Sequence, residues 1–295
     1  MKYLQDIKTL PEPRKTFMEI MKVHNKEVPM ANLLAYFFRN KEKHLLKNLF
    51  LKALLTTYYC ELNTTNKNNI SSNLSELYDI KLNDSEFENL IVKTEEPKNK
   101  DFRIDLLIVA KSFTICIEFK INHVLDNPLA DYKKFMEERY SEKSKHIYIV
   151  LTPYSKTPEG KAKEFIDKHS DFKKVILSKF IKNVKEMLPN DYLEQNTYDS
   201  NYLKDFIQTI ENREIRYKRS HILKELNNHI PKFEFHNNNQ GGFLQYKNNS
   251  IWIKIRIKNK KWQIENWKDN KQLERHEILS NFKNIINVLN NKINF

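Results

Sequence analysis

The sequence predicts an α/β fold, a mixed sheet flanked by helices, followed by a small α+β domain at the C-terminal end. Residues 102–110 form a nearly continuous apolar run, which is typical of a strand buried on both faces. Residues 113–121 alternate between apolar and polar side chains, as in a strand with one face in a core. Helical segments and further strands alternate after them, which favours a mixed sheet covered by helices.

The chain ahead of these two strands is predicted to be mainly helical. Apolar residues recur at helical spacing between Leu33 and Phe38. Polar, low-complexity sequence predicts a loop over residues 62–75. The predicted helices cover residues 14–24, the stretch that follows Pro29, and residues 43–58.

The chain after these strands alternates between helices and strands and completes a first domain, residues 1–213. Its predicted helices cover residues 128–140, 159–169, 181–188 and 199–213. Its predicted strands cover residues 146–152 and 174–180.

A second domain is predicted over residues 214–295. It starts with a helical connector, 213–229, and an Asn/Gly turn region, 237–242. Three strands follow, with the sequences FLQYK, IWIKIRIK and WQIENW. An amphipathic helix is predicted to end the chain, with an apolar face made of Leu279, Phe282, Ile286, Leu289 and Ile293.

Composition excludes several functional classes. The 295 residues are 40% hydrophobic, enough for a packed core, and contain no apolar run long enough to span a membrane. Two cysteines cannot form a disulfide framework or a four-cysteine zinc site. Three glycines exclude a phosphate-binding P-loop and a Rossmann fingerprint. The first residues lack the apolar core of a secretion signal, so we expect a cytoplasmic protein with no membrane partner.

Positive charge is concentrated at the C-terminal end of the chain. The formal net charge is +13, yet residues 213–295 carry 17 Lys and Arg against 7 Asp and Glu. Such asymmetry indicates a polyanionic partner, most commonly nucleic acid. A general Lys bias would not explain why the first 212 residues are nearly neutral.

The two central strands bring acidic residues together. With a tight turn at Lys111 and Ser112, an antiparallel hairpin places Asp105 opposite Glu118, with Lys120 on the same face. Facing carboxylates repel each other, and burying them raises a pKa or requires a cation. A divalent metal removes this conflict, and a nearby lysine can assist an attacking water. The residues alone leave a structural salt bridge as an equal alternative.

These residues resemble the signature of the PD-(D/E)XK nuclease superfamily, an Asp on one strand followed by Glu-x-Lys on the next. The similarity to one prokaryotic branch covers about residues 20 to 213. The matching positions are Glu27, Ala31, Leu34-Ala35, Phe37-Phe38, His44, Phe50-Leu51, residues 103–107, residues 117–121 and Tyr132.

The resemblance implies a restriction-endonuclease-like core and metal-dependent phosphodiester hydrolysis. By this analogy, Asp105, Glu118 and the Phe119 carbonyl bind Mg²⁺, for which Mn²⁺ can substitute. Lys120 acts on the water and on the developing phosphate charge. Glu27 adds an acidic group from the first core helix, unless it is a surface carboxylate at a helix start. Tyr132 forms a hydrogen bond near the site, unless it is a core tyrosine.

The strand IWIKIRIK predicts a nucleic-acid-binding face in the second domain. Its isoleucines alternate with cations and an aromatic ring, which suits phosphate contacts and base stacking. The alternative is a solvated sheet face. The candidate binding residues are Trp252, Lys254, Arg256, Lys258, Lys260 and Lys261.

Together these patterns predict a Mg²⁺-dependent nuclease that acts on DNA rather than RNA. Defence against foreign DNA, including antiviral defence, follows only by analogy with the superfamily. A non-catalytic nucleic-acid-binding or scaffolding protein and an RNA-cleaving effector stay open as alternatives. The sequence leaves open whether the protein forms a homo-oligomer.

Overall fold

The structure is a computed structural model whose described part is divided into two compact units. The units are residues 15–210 and residues 1–14 with 211–295. The described residues are 12–65, 87–97, 103–121, 128–153, 169–228, 230, 232–238, 241–248, 251–258, 261–268 and 271–278.

The larger unit combines helices with one five-stranded sheet. Its helices are α1 (Phe17–Ile20), α2 (Glu27–Phe38), α3 (Leu49–Thr65), α4 (Leu129–Arg139), α5 (Leu177–Met187) and a 3₁₀ turn (Tyr192–Glu194). Its strands are β1 (Ile91–Pro97), β2 (Arg103–Val109), β3 (Phe113–Phe119), β4 (Lys145–Thr152) and β5 (Phe172–Ile176). A long helix, α6 (Tyr198–Asn227), contains the division between the two units.

The sheet has the strand order β1-β2-β3-β4-β5. The first three strands pair antiparallel, and β3-β4 and β4-β5 pair parallel. This is the mixed sheet that the sequence predicts, and it matches a restriction-endonuclease-like fold. Helices cover both faces because β3 is buried along its whole length and must be shielded on each side.

The hairpin of β2 and β3 has the predicted register. Leu106 pairs with Ile117 and Val109 with Thr114, and the Ala110 amide donates a 2.9 Å hydrogen bond to the Phe113 carbonyl to close the turn. Because side chains alternate across a strand, this register determines which residues of β2 and β3 share a face.

The two faces of the sheet have separate hydrophobic cores. Ile115, Ile117 and Phe119 pack in one core with side chains of α2, α3 and α5. Cys116 lies in the other core, where α4 supplies Leu129, Tyr132, Phe135 and Met136. Glu118 therefore belongs by alternation to the face that α4 covers, next to Cys116.

Helix α2 starts three residues earlier than predicted, at Glu27, and keeps Pro29 in its first turn, where a missing amide costs nothing. Its residues Phe37 and Phe38 are buried, and the Phe37 ring stacks on Phe50 of α3 at 4.9 Å. This packing holds the C-terminal end of α2 against the core that α2, α3 and α5 share.

Several predicted boundaries are wrong. The predicted strand 174–180 ends at Ile176, because Leu177, Phe180, Ile181 and Val184 are buried at helical spacing in α5. The predicted helices 199–213 and 213–229 are one helix, α6, since neither glycine nor proline interrupts residues 198–227. The predicted helix 43–58 begins only at Leu49 and continues to Thr65, into the predicted loop.

One helix is shorter than predicted, and one strand of the larger unit was not predicted. The first predicted helix contains only Phe17–Ile20. Strand β1 was not predicted, because its sequence IVKTEEP has little alternation. The predicted helices over 159–169 and at the C-terminal end lie outside the described residues, apart from His169.

The smaller unit has a five-stranded antiparallel sheet ordered β10-β9-β8-β7-β6. Its strands are β6 (Glu234–His236), β7 (Phe243–Asn248), β8 (Ile251–Lys258), β9 (Lys261–Lys268) and β10 (Lys271–Ile278), of which the sequence did not predict β6 and β10. One face carries Ile253, Ile255 and Ile257, which pack with Leu223 and Leu226 of α6. No helix among the described residues is both long and apolar enough to cross a membrane.

Candidate active site

Three chemically active side chains lie together at one end of the β2–β3 hairpin. The β2–β3 ladder ends at the pair Leu106 and Ile117, and the next residues are Asp105 and Glu118, which are close enough for Asp105 to raise the pKa of Glu118. The Lys120 ammonium, just beyond β3, lies 2.7 Å from Glu118 Oε1. The hairpin alone therefore brings two acids and a lysine to one place.

Glu118 is completely buried, and its carboxyl group is the unusual feature of the site. Its Oε1 forms a short ion pair with the Lys120 ammonium, and Asp105 is its other charged neighbour. Burial and the neighbouring Asp105 carboxyl raise the pKa of Glu118 to about 8, which Lys120 offsets only in part. A cation at this carboxylate would relieve the cost of its burial.

The Asp105 carboxyl is held by the backbone of the neighbouring strand. Its Oδ2 accepts a 2.8 Å hydrogen bond from the Phe119 amide. Burial raises the pKa of Asp105, and the Phe119 and Lys120 contacts counter that rise without cancelling it. The hydrogen bond fixes the carboxyl next to Glu118.

Glu27 reaches the same place from the first turn of α2. Its Oε1 accepts a 3.0 Å hydrogen bond from the Ile121 amide, and its Oε2 lies 3.6 Å from the Lys120 ammonium. Glu27 thus contacts the segment that follows β3, a contact that a surface carboxylate at a helix start would not make.

Lys120 lies between two carboxylates with 13% of its side chain exposed. Burial alone would lower the pKa of Lys120, but the ion pair with Glu118 and the nearby Glu27 and Asp105 raise it. The ammonium therefore stays charged near neutral pH.

Tyr132 takes a supporting position in the core under α4. It is 1% exposed, packs with Ile104 and Leu107, and its hydroxyl donates a 2.8 Å hydrogen bond to the Arg103 carbonyl. The tyrosine thus anchors β2 two residues before Asp105.

The residues present fit a divalent cation held partly by solvent. Among the described residues, no group of three or more His, Cys, Asp or Glu side chains is arranged to hold a metal ion. Mg²⁺, however, is commonly bound through one or two carboxylates and keeps several waters. Asp105 and Glu118 supply such a pair, and the complete burial of the Glu118 carboxyl fits a role as a cation ligand.

A family model described as the PD-(D/E)XK nuclease superfamily matches residues 16–276. The chain belongs to this superfamily. The match extends beyond the 20–213 resemblance and includes most of the smaller unit. No curated protein and no solved structure matches the chain. Membership in the PD-(D/E)XK superfamily points to nuclease activity and a nucleic-acid substrate.

The PD-(D/E)XK chain also has an acidic residue that sequence reasoning missed. Strand β1 pairs Thr94 with Leu106 and Glu96 with Ile104, so Glu95 lies across from Asp105. Glu95 contributes to raising the pKa of Asp105. The Glu-Glu-Pro ending of β1 carries no strong strand signal, so only the sheet register reveals this acid.

The predicted nucleic-acid-binding residues on β8 have protein partners of their own. The Lys254 ammonium lies 4.1 Å from the centre of the Phe243 ring. Arg256 forms a 2.6 Å ion pair with Glu265, and its Nε donates to Gln263. Glu265 and Gln263 are each 2% exposed, so Arg256 is committed to a buried pair.

The remaining predicted residues of this face differ in accessibility. Lys258 is exposed at the end of β8, and Lys261 is half-buried and engaged at the start of β9. Lys260 and the side chain of Trp252 lie outside the part that the structure describes. Among the predicted binding residues that the structure describes, Lys258 is therefore the most accessible to a phosphate.

Proposed function

We propose that the protein is a metal-dependent nuclease that hydrolyses phosphodiester bonds in DNA. The observation that carries the proposal is the fully buried Glu118 carboxyl, placed beside Asp105 and ion-paired with Lys120, with its pKa raised by burial and by Asp105. A second acid beside a buried acid destabilises the fold unless a proton or a cation is held there, so this arrangement favours a metal site over a structural salt bridge.

Asp105, Glu118 and the Phe119 carbonyl would hold Mg²⁺, and Mn²⁺ would substitute. The cation would supply Lewis-acid chemistry there, by polarising the phosphate and lowering the pKa of a bound water. The hydrogen bond from the Phe119 amide keeps the Asp105 carboxyl in position. Burial of Glu118 excludes bulk water, which strengthens the field of the charged groups at the phosphate.

Lys120 would orient the attacking water and neutralise the charge that develops on the phosphate oxygens. Its ammonium is charged at neutral pH, so its role at the phosphate is electrostatic. Glu27 would keep the ammonium in place through its 3.6 Å contact and contribute a further acidic group. Tyr132 would act through the backbone of Arg103, by fixing the strand that carries Asp105.

We assign catalysis to residues 1–213 and substrate retention to residues 214–295, where most of the excess positive charge lies. Lys258 is the described strand residue best placed for backbone phosphates, with Lys260 and Lys261 following in sequence. We further propose a cytoplasmic role in defence against foreign DNA, including viral DNA. A homo-oligomer is compatible with this role.

The direct test is cleavage of plasmid DNA in Mg²⁺ or Mn²⁺ by the wild type, Asp105→Asn and Lys120→Met. Lys179→Met is a matched control, because Lys179 also forms a short ion pair, 2.6 Å from Glu61. We expect the wild type and the control to nick DNA and both site variants to lose at least roughly 100-fold in rate. Equal rates for all four proteins would contradict the assignment.

Substrate competition separates the remaining alternatives. Duplex DNA, single-stranded DNA and RNA of the same sequence are incubated with the wild type in Mg²⁺. Preferred cleavage of RNA would replace the DNA assignment with an RNA-cleaving effector. Binding to all three without cleavage in any metal would favour a scaffold.

A further inference from the structure

Arg103 occupies the first position of β2, two residues before Asp105. Its ion-pair partner Glu95 also contributes to raising the pKa of Asp105, which connects the arginine to the catalytic cluster. The Arg103 side chain is 64% exposed, against 13% for Lys120.

The guanidinium is held by an acid from the neighbouring strand. Arg103 Nη1 donates a 3.0 Å hydrogen bond to Glu95 Oε2. Glu95 has a φ of 54°, and among the described strands no other non-glycine residue has a positive φ. The pairing of β1 with β2 continues in register on both sides of Glu95, so this conformation affects one residue and not the strand.

The backbone of Arg103 is fixed as well. Its carbonyl accepts the 2.8 Å hydrogen bond from Tyr132, and its position pairs with Pro97 of β1. An exposed arginine normally loses considerable side-chain entropy when it binds a ligand. A guanidinium restrained at both ends of the side chain loses less, which is how a binding group is pre-organised.

The charges of the cluster call for a basic group here. Three carboxyl groups, those of Glu27, Asp105 and Glu118, raise the pKa of Lys120, and a fourth, Glu95, acts on Asp105. The single ammonium of Lys120 is already shared between Glu118 and Glu27, so a second basic group would help to bind the phosphodiester. A guanidinium has five donors in a planar fork that suits a phosphate, and the contact with Glu95 uses one of them.

We propose that Arg103 binds a backbone phosphate of the nucleic-acid substrate and that Glu95 is its positioning residue. The proposal rests on the proposed nuclease function and adds a substrate-binding group beyond the Asp, Glu and Lys of the superfamily signature. The phosphate displaces solvent from the exposed side of the guanidinium, while Glu95 keeps the opposite side in place.

The first test measures binding alone, in the Asp105→Asn background, so that cleavage does not interfere. A fluorescein-labelled 20-base-pair duplex is titrated over a range of NaCl concentrations, with and without Arg103→Ala. Loss of one phosphate contact is expected to reduce the slope of log K against log salt by roughly 0.9. An unchanged slope would overturn the assignment of Arg103 whether or not the wild type cleaves DNA.

The second test compares cleavage by Arg103→Ala, Arg103→Lys and Glu95→Gln. We expect KM to rise about 10-fold or more for Arg103→Ala and less for Arg103→Lys, which keeps charge without the fork. Glu95→Gln should raise KM by a smaller factor. The matched control is Glu96→Gln, which breaks the neighbouring 2.8 Å ion pair with Lys93 on the same strand.

These outcomes separate the inference from the function on which it rests. A cleaving wild type with normal KM in Arg103→Ala and Glu95→Gln would overturn the inference and leave the nuclease assignment intact. A wild type that cleaves nothing would remove the nuclease assignment, while the salt slope would still decide whether Arg103 contacts phosphate. Equal effects of Glu95→Gln and Glu96→Gln would show that Glu95 has no positioning role.

Discussion

The Lys120 ammonium lies 2.7 Å from Oε1 of Glu118, a carboxyl group with no exposed surface. The lysine follows β3 and the glutamate belongs to it, so the strand geometry alone produces this contact. Lys120 offsets only part of the rise in the Glu118 pKa that burial and Asp105 cause. The proposed metal ion would offset the remainder.

Glu118 should make the metal-free protein less stable as pH rises. Its pKa is raised from 4.5 to about 8, so the folded state binds more protons than the unfolded state between these pH values. The free energy of unfolding is therefore expected to fall across this window and to level off above about pH 8.

Urea unfolding in EDTA at several pH values checks this prediction. Burial lowers the pKa of His44, so this histidine makes the free energy of unfolding rise with pH near pH 6.5, opposite to the effect of Glu118. Both proteins contain His44, so the difference between the wild type and Glu118→Gln reports the glutamate alone. The wild type should lose stability relative to Glu118→Gln as the pH increases. Parallel pH profiles for the two proteins would contradict the raised pKa.

Metal binding should release protons. A cation binds the ionised carboxylate, whereas Glu118 is largely protonated at pH 7 when its pKa is about 8. We expect Mn²⁺ affinity to increase from pH 6 to pH 8 and roughly one proton to leave per ion bound at pH 7. Titration calorimetry in two buffers of different ionisation enthalpy measures this number. Heats that do not depend on the buffer would exclude coupled deprotonation.

Replacing Lys120 should separate activity from stability. Lys120→Met removes the ion pair, but Glu118 can then remain protonated, which limits the cost to folding. Cleavage is expected to fall roughly 10²–10⁴-fold, with a smaller change in melting temperature than for Arg256→Ala. Plasmid nicking and thermal unfolding of the same preparations provide the two readouts. A variant that melts early yet cleaves normally would reverse this interpretation.

His44 should be structural despite its place in the resemblance to the superfamily. The side chain of His44 is 1% exposed. Its Nδ1 accepts a 3.0 Å hydrogen bond from the Leu46 amide. Nε2 therefore carries the proton and donates a 3.0 Å hydrogen bond to the Arg39 carbonyl. His44→Ala should lower the free energy of unfolding by about 2–4 kcal/mol. Cleavage per folded molecule should not change. A stable variant with reduced cleavage would instead give His44 a functional role.

Two basic residues of β8 should behave differently. Arg256→Ala removes the 2.6 Å ion pair with Glu265, which is 2% exposed. The free energy of unfolding should fall by about 3 kcal/mol, the lower end of the range for breaking a buried ion pair. Lys258→Ala changes an exposed side chain, so it should weaken DNA binding and its salt dependence without loss of stability. Chemical unfolding and fluorescence titration of both variants check the contrast. Unaltered DNA binding in Lys258→Ala would remove this residue from the proposed interface.

The sequence alone predicts the β2–β3 hairpin and its register correctly. Alternation over residues 113–121 leaves one choice of buried face, and a two-residue turn then fixes which residues oppose each other. The neighbourhood of Asp105, Glu118 and Lys120 follows from this local geometry. Alternation likewise predicts the isoleucine face of β8, which packs as a core.

Tertiary packing decides what local patterns leave ambiguous. Residues 174–180 have a composition suited to a strand, yet burial of Leu177 and Phe180 against the core turns their segment into α5. The partners of Arg256 come from β9, and the contact of Glu27 with Ile121 spans 94 positions. No short-range pattern encodes such distant contacts.

By itself, then, the sequence determined a mixed sheet and a hairpin that brings two acids and a lysine together, because strand periodicity is a local property. Only the tertiary structure decided that Glu118 is fully buried, that Glu27 reaches Lys120, and that Glu95 and Arg103 join the cluster. Burial and cross-strand contact depend on which distant segments pack together, and these determine the charge state of the site.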